Sequence, residues 1–286
     1  MILVDADSLV YKAGWSVEKR YYTLEETGEV FKTKAEAKEK LIKEGREGEF
    51  PLLLLKSEVT GPESHAIRCL DRLYQSILEP FRGEPYVSYL SGPNNFRNDI
   101  AVTQPYKGNR TSSAKPFYYD MLREAICSWF NGQVVDWIEA DDRIAIEATA
   151  AHEATIVGID KDLLQIPGRH YNYDKGVFTH ITEEIGWYNF FTQVLVGDTS
   201  DNIKGLPGIG PTKAAALLED VKYFPKAMYA ICEKLYERFY GGSDTENGTY
   251  WVSRFEEVCG LLYLLRYEGD EWRHAREWLE SISRPV

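Results

Sequence analysis

The chain opens Met1-Ile2-Leu3-Val4-Asp5-Ala6-Asp7, a short apolar run that ends on one carboxylate and meets a second two residues later. A run of this length bounded by polar residues reads as a buried β-strand. The same grammar returns in Tyr86 to Leu90 and in Ala154 to Ile159, each followed by polar residues and separated by helical patterns. Strands alternating with helices predict an α/β fold, a central and mostly parallel sheet flanked by helices. In such sheets ligands bind beyond the carboxyl ends of the strands, where Asp5, Ser91 and Asp160 would all lie.

Residues Tyr21 to Gly45 interrupt this pattern. The segment is β-rich with a turn expected at Thr27-Gly28, and Thr33-Lys34-Ala35-Glu36 fits a capping box that opens a short helix. We expect a small inserted ββα-like segment within about 17–60, its charged helix a solvated face rather than a DNA contact. From Thr182 onward the chain reads as mainly helical, with glycine breaks at Gly197, at Gly205 to Gly210 and at Gly241-Gly242. The expected organisation is a core over residues 1–196 and a helical C-terminal region over residues 197–286. No long-period repeat or low-complexity tract interrupts it.

With 286 residues and 44% hydrophobic content the chain can bury one sizeable core and a smaller lobe, which excludes a disordered class. Its apolar runs are short, Leu52 to Leu55 among them, and Met1 leads straight into Ile-Leu-Val without a basic region or cleavage site. Neither a membrane span nor a secretory leader is expected. Cys69, Cys127, Cys232 and Cys259 lie far apart without a CxxC, and the five histidines show no paired spacing. That argues against zinc and for reduced thiols in a cytoplasmic setting. A net charge of -12 weighs against a nucleic-acid partner only if the acid is evenly spread. Here many acids cluster in short motifs, where bound cations would neutralise them and leave local basic patches to meet phosphate.

Three such motifs follow Asp5. Glu139-Ala140-Asp141-Asp142 precedes a helical run, so its carboxylates sit where the macrodipole favours negative charge, either to support the helix or to serve a site. Asp160-Lys161-Asp162 follows a buried strand, and an i, i+2 spacing in extended chain would point both acids to one side; a polar loop is the alternative. Asp198-Thr199-Ser200-Asp201 is a turn that can bring two acids to one cation or simply form an Asx-type turn. Together they are a density of carboxylates that repulsion would penalise without cations. Oxygen ligands without His or Cys favour Mg²⁺ or Mn²⁺, and two such ions suit phosphodiester hydrolysis.

Phe96-Arg97 and Pro105-Tyr106-Lys107-Gly108-Asn109-Arg110 put cations and an aromatic ring in one polar stretch. Lys107 and Arg110 are candidates to hold a scissile phosphate, Arg97 to contact DNA, and Tyr106 to stack on a base or to pack. Gly205-Leu206-Pro207-Gly208-Ile209-Gly210-Pro211-Thr212-Lys213 leads into a helix, with Pro211 suited to its first turn. Backbone amides around Gly208 and Gly210, with Lys213, are candidates to bind a DNA phosphate. The GxxxxGK[ST] order of a nucleotide-binding loop is absent.

Taken in order, Val4-Asp5, Tyr106 to Arg110, Ile138 to Asp142, Asp160 to Asp162 and Gly197 to Asn202 resemble the flap endonuclease and phage 5′ to 3′ exonuclease family, of PIN-like fold, over most of the chain. The resemblance implies two metal ions held among Asp5, Glu139, Asp141, Asp142, Asp160, Asp162, Asp198 and Asp201, with Lys107 and Arg110 on phosphate. It implies that Gly205 to Leu218 grips duplex DNA through backbone amides, with a potassium ion on loop carbonyls as a candidate. The implied substrate is DNA at 5′ ends, flaps or nicks.

Two departures qualify this. The family commonly has a further metal-site Asp after the strand near Ser91, where this chain has Ser91-Gly92, so one ligand is missing or supplied by Asp7. The interval from Arg110 to Phe117 is short where many relatives carry a helical arch, which aligns the chain with phage exonucleases that digest duplex ends. Removal of RNA primers by the same site, and an inactive structure-specific DNA-binding protein, are the competing readings.

Overall fold

The computed structural model describes residues 1–110, 115–151, 153–241 and 250–282. The chain forms two compact units, one of Met1–Ser8, Pro80–Ala114 and Ile126–Val286, the other of Leu9–Glu79 and Lys115–Ala125.

In chain order, β1 (Ile2–Asp5) and α1 (Asp7–Trp15) lead into β2 (Glu18–Leu24), β3 (Glu29–Phe31), α2 (Lys34–Lys43), β4 (Leu54–Val59) and α3 (Glu63–Leu78). Next come β5 (Tyr86–Asn95), α4 (Arg97–Ile100), α5 (Tyr119–Trp129), β6 (Gly132–Trp137), α6 (Ala140–Ala150) and β7 (Thr155–Val157). A hairpin of β8 (Gly168–Asn172) and β9 (Val177–Ile181) follows, then α7 (Glu183–Val196) and the two-residue strands β10 (Gly197–Asp198) and β11 (Ile203–Lys204). Helices α8 (Pro211–Leu218), α9 (Pro225–Tyr240), α10 (Tyr250–Leu262) and α11 (Trp272–Ser281) complete the chain. Among the described residues no helix is long and apolar enough to cross a membrane.

The larger unit is built on a six-stranded sheet of order β6-β5-β1-β7-β8-β9, parallel except for the antiparallel β8–β9 hairpin. This is the mixed α/β fold that the alternation of strands and helices predicts. All four residues of β1 are buried, as a central strand covered on both faces requires. Leu3 pairs with Val87 on one side and Ile156 on the other, and helix α6 lays Ile144, Ala145 and Ala148 on that layer. The chain leaves β1 toward β5 on one side and reaches β7 on the other, so the carboxyl end of β1 lies at a switch point where a crevice opens. A second core joins α7 to α11 through Trp187, Phe190, Phe191, Tyr236, Phe255 and Trp272. Burying each such ring stabilises by roughly 1.5–3 kcal/mol.

The smaller unit contains the antiparallel sheet β3-β2-β4 and a compact cluster of Leu24, Phe31, Ala37 and Leu41. Thr33 caps α2 as its sequence predicts, accepting from the Glu36 amide at 3.1 Å, but the expected box is not closed, because the Glu36 carboxylate takes the Lys32 amide at 2.8 Å and not that of Thr33. The expected ββα segment has a third strand: β4 pairs with β2 from Glu18↔Val59 to Thr23↔Leu54. Five of its six residues are exposed, so it lacks the alternation that would have marked it.

The Asp160–Asp162 segment is not extended. The Asp162 amide donates to Asp160 Oδ1 at 2.9 Å and a 3₁₀ turn runs on from Asp162 to Gln165, so a turn, not a pleat, gathers these acids. The expected break at Gly241-Gly242 and the short interval from Arg110 to Phe117 run into residues 242–249 and 111–114, outside the described residues.

Candidate metal centre

Asp5 ends β1 beside Tyr89 of β5 and is almost wholly buried. Its Oδ1 accepts the Asp7 amide at 3.2 Å. Burial, followed by the charges of Asp7 and Asp160, pushes the Asp5 carboxyl up to about 8. Asp141, in the first turn of α6, is raised well above the ordinary range by burial and then by Asp5, Asp160, Glu139 and Asp162. Asp162 is raised to about 6 by burial and by Asp160. Four places in the chain, the end of β1, the start of α1, the start of α6 and the turn at Asp160–Asp162, therefore bring mutually repelling carboxylates together.

Asp7 and Ser91 explain each other. The Ser91 amide donates to Asp7 Oδ2 at 3.0 Å, and Ser91 Oγ accepts the Ala140 amide at 2.9 Å. Ser91 thus ties the end of β5 to the starts of α1 and α6 and leaves Asp7 as the carboxylate beside Asp5.

Glu139 caps α6 within a capping box shared with Asp142. Burial alone would raise Glu139, but Lys107 and Arg97 hold it below its ordinary value. Lys107 hydrogen-bonds Glu139 and lies 3.7 Å from Asp201; burial works against its charge, and those two acids keep it raised. Arg110, half exposed, bonds Asp201 and donates to the Ser200 carbonyl at 3.0 Å.

A second pair of acids stands on the β10–β11 hairpin. A Cβ at Gly197 would come within 2.2 Å of the Gly205 amide nitrogen, so these strands meet only because both positions are glycine. Asp198 Oδ1 accepts the Ser200 amide at 2.7 Å and Ser200 Oγ at 2.5 Å. Burial would raise Asp198, but Lys161 and Ser200 bring it below its ordinary value. Lys161 hydrogen-bonds Asp198 and sits 3.7 Å from Asp162, while Lys107 spans Glu139 and Asp201, so two lysines link the two groups of acids. Sequence reasoning gave Lys161 no role; its place between two aspartates was the available signal. Gln193, which donates to Asp162 from α7, had none.

Three expectations need correction. Arg97 is 1% exposed and cannot be a DNA contact. Its guanidinium grips Asp142 at 2.6 and 2.9 Å and donates to the carbonyls of Leu261 and Tyr263. Asp142 is for the same reason no metal ligand: its oxygens are taken by Arg97 and by the Glu139 and Leu265 amides. Tyr106 is 8% exposed, its hydroxyl donating to Glu139 at 2.7 Å and Asp201 at 2.9 Å, so it positions acids and does not stack on a base.

At the glycine loop, Gly208 takes φ 71°, Gly210 caps α8 and Pro211 fills its first turn. Lys213 Nζ donates to the Gly208 carbonyl at 3.4 Å. Among the described residues no group of three or more His, Cys, Asp or Glu side chains is placed to hold a metal ion as it stands. Lys107, Lys161 and Arg110 instead lie against the acids.

No protein-family model matches the chain. The exodeoxyribonuclease of Enterobacteria phage T3 is 28% identical over 199 residues, covering 66% of this chain and 63% of that protein. DNA polymerase I of Rhizobium leguminosarum is 36% identical over 143 residues, 44% of this chain and 14% of the polymerase. The flap endonuclease Xni of Shewanella baltica is 29% identical over 135 residues, 42% and 52% of the two chains. The chain thus spans less than two thirds of the length of these relatives. The structure of T5 5′-exonuclease with bound divalent metal ions (zinc) superposes with a TM-score of 0.53 at 14% identity, covering 92% of this chain and 87% of that one. The chain is related in sequence to these enzymes and shares the fold of the T5 5′-exonuclease.

Proposed function

We propose that this relative of the phage exodeoxyribonucleases and flap endonucleases is a divalent-metal-dependent 5′-nuclease that hydrolyses DNA phosphodiesters near 5′ ends. The observation that carries this reading is the set of buried Asp5 with half-buried Asp141 and Asp162, three carboxyls that desolvation and then their neighbours' charges push above the ordinary range. A structural cluster would be expected to pair such charges, whereas a cation site leaves them for the ion.

The donor set fits a hard divalent cation, because every group is a carboxylate oxygen and no thiol or imidazole stands among them. Asp5, Asp7, Glu139, Asp141, Asp160 and Asp162 would hold two Mg²⁺ or Mn²⁺ with help from Asp198 and Asp201. When bound, such ions activate a water and polarise a phosphodiester. Lys107 and Arg110 supply cationic donors for the non-bridging phosphate oxygens. Tyr106 acts through Glu139 and Asp201, fixing their orientation. Gly208, Gly210 and Lys213 at the start of α8 would bind a duplex phosphate, with loop carbonyls as candidate ligands for potassium. The region from residue 197 onward is then the DNA-binding part, and the setting that goes with this reading is the cytoplasm of a phage-infected bacterium.

The test is cleavage of a duplex labelled at its 5′ or 3′ end, with and without Mg²⁺, comparing wild type with Asp160→Asn. Short products from the 5′ label that need metal and disappear in the variant are expected. Release from the 3′ label first would reverse the polarity, and tight binding without cleavage would support an inactive DNA-binding protein. The same assay on an RNA–DNA hybrid decides whether primers are also substrates.

A further inference from the structure

Of the five described non-glycine residues at positive φ, Asn131 and Asn202 are of the type that tolerates it, and Arg82 and Lys107 are unbranched chains. The fifth is Trp137, at φ 68°. A bulky side chain there is strained where glycine would not be.

The surrounding backbone dictates that conformation. Trp137 pairs with Asn95 just where the β5–β6 register shifts, and its carbonyl accepts the Phe96 amide at 3.0 Å. A Cβ on Gly92 would come within 2.4 Å of the Val135 carbonyl oxygen, and Asp136 is held by the amide and side chain of Asn94 at 3.0 and 2.9 Å. Two residues on, Glu139 begins α6. The fold thus fixes the backbone of residue 137 from both sides.

Nothing fixes the side chain in return. The indole is 61% exposed at the carboxyl end of an edge strand, the end of the sheet that carries the acids. Among the described residues neither core beside the acids includes it, so packing there does not offset the strain. Strain that packing does not explain collects at functional sites. A large flat ring on a rigid mount presents a π-face, and nucleobases of every sequence stack on such a face. A base inside a duplex has both faces covered by its neighbours and one in a terminal pair is held in line with the helix axis by its partner, so an unpaired base is the one free to turn a face onto the ring.

Resting on the nuclease reading, we propose that Trp137 is a stacking platform for an unpaired nucleobase next to the scissile phosphate. It selects substrates with a short single-stranded 5′ extension over blunt ends.

The experiment uses duplexes with 2-aminopurine at the first unpaired position, bound in EDTA so that binding is read without cleavage. Wild type quenches the probe; Trp137→Gly loses the quenching and binds about tenfold more weakly, within the range of one base–aromatic stack, and Trp137→Phe retains most of both. With Mg²⁺, Trp137→Gly raises KM about tenfold and changes kcat by no more than about twofold. An abasic nucleotide at the probe position does the same to wild type and adds nothing to the variant. The melting temperature of Trp137→Gly is expected to equal or exceed wild type, since the strain is relieved. Unchanged quenching and KM in a folded Trp137→Gly overturn the proposal, as does equal loss in the Phe and Gly variants. Trp137-dependent quenching without cleavage by wild type would sink the nuclease reading and leave the stacking platform standing.

Discussion

The molecule carries two dense groups of charge, and they are built on opposite principles. In the smaller unit Arg46 meets Glu29, Glu44 and Glu49, all at 2.7 Å, and Lys40 adds a second cation on Glu29 at the same distance. In the larger unit Asp5 is buried with Asp141 and Asp162 half-buried beside it, and Lys161 stands 3.7 Å from Asp162 while it hydrogen-bonds Asp198. Hydrogen bonds from Arg46 and Lys40 draw Glu29 down to about 2, whereas burial lifts Asp5 to about 8. Acid count does not separate a structural patch from a site; the presence of carboxyls pushed up by burial and by one another does, even though Lys107 and Lys161 hold Glu139 and Asp198 low beside them.

The sharpest way to break this contrast lies at Arg97, the cation that does neutralise a buried acid. Arg97→Met should destabilise by about 3–5 kcal/mol because it strands Asp142, and Arg97→Met with Asp142→Leu should recover most of the loss. Urea unfolding reads both. If the single variant costs nothing, the pair is not the structural half of the cluster.

Asp141→Asn comes next. It should lower cleavage about 100-fold or more, the scale of losing one electrostatic group at a reacting site. It should raise the melting temperature without metal, because a repelling buried charge is gone. A variant that loses activity and stability together would mark Asp141 as a structural acid.

Acidity gives a third test. Asp5 binds its proton more tightly folded than unfolded, since its carboxyl moves from 3.8 to about 8. Its stabilising contribution is therefore complete below pH about 4 and is lost as pH rises toward about 8. The metal-free protein should melt lower at pH 8 than at pH 5.5, and Mg²⁺ should raise the melting temperature more at pH 8. The reverse order would place the repulsion elsewhere.

The smallest effect is expected at Arg46. Glu29 is depressed, so its contribution holds above the ordinary glutamate range and is lost only as pH falls toward about 2. Because these side chains meet solvent, Arg46→Ala should shift urea unfolding only slightly, and less in 1 M salt than at low salt.

What could be read from the sequence follows the range of the interactions. The strand ending at Asp5, the Thr33 cap, Pro211 in the first turn of α8 and the acidic start of α6 are each decided within a few residues, and the structure contains them all. Arg97 and Asp142 are separated by 45 positions, and nothing local says that closure of the α10 end buries both. A charged residue in a polar stretch reads the same whether it faces DNA or the interior, which is why Arg97, Asp142 and Tyr106 were misplaced. At Asp160 the loop alternative prevails over the extended one, because a carboxylate accepting its own chain two residues on competes with the extended backbone that spacing alone suggests.

The central claim, that the strained acids are a cation site and the paired acids are not, is tested most directly by titrating Mn²⁺ into the protein near neutral pH. Free ion is followed by its electron spin resonance. The account predicts saturable binding by wild type, weakened at least about tenfold in Asp5→Asn and Asp141→Asn and unchanged in Glu29→Gln. Equal affinity in all four proteins would contradict it.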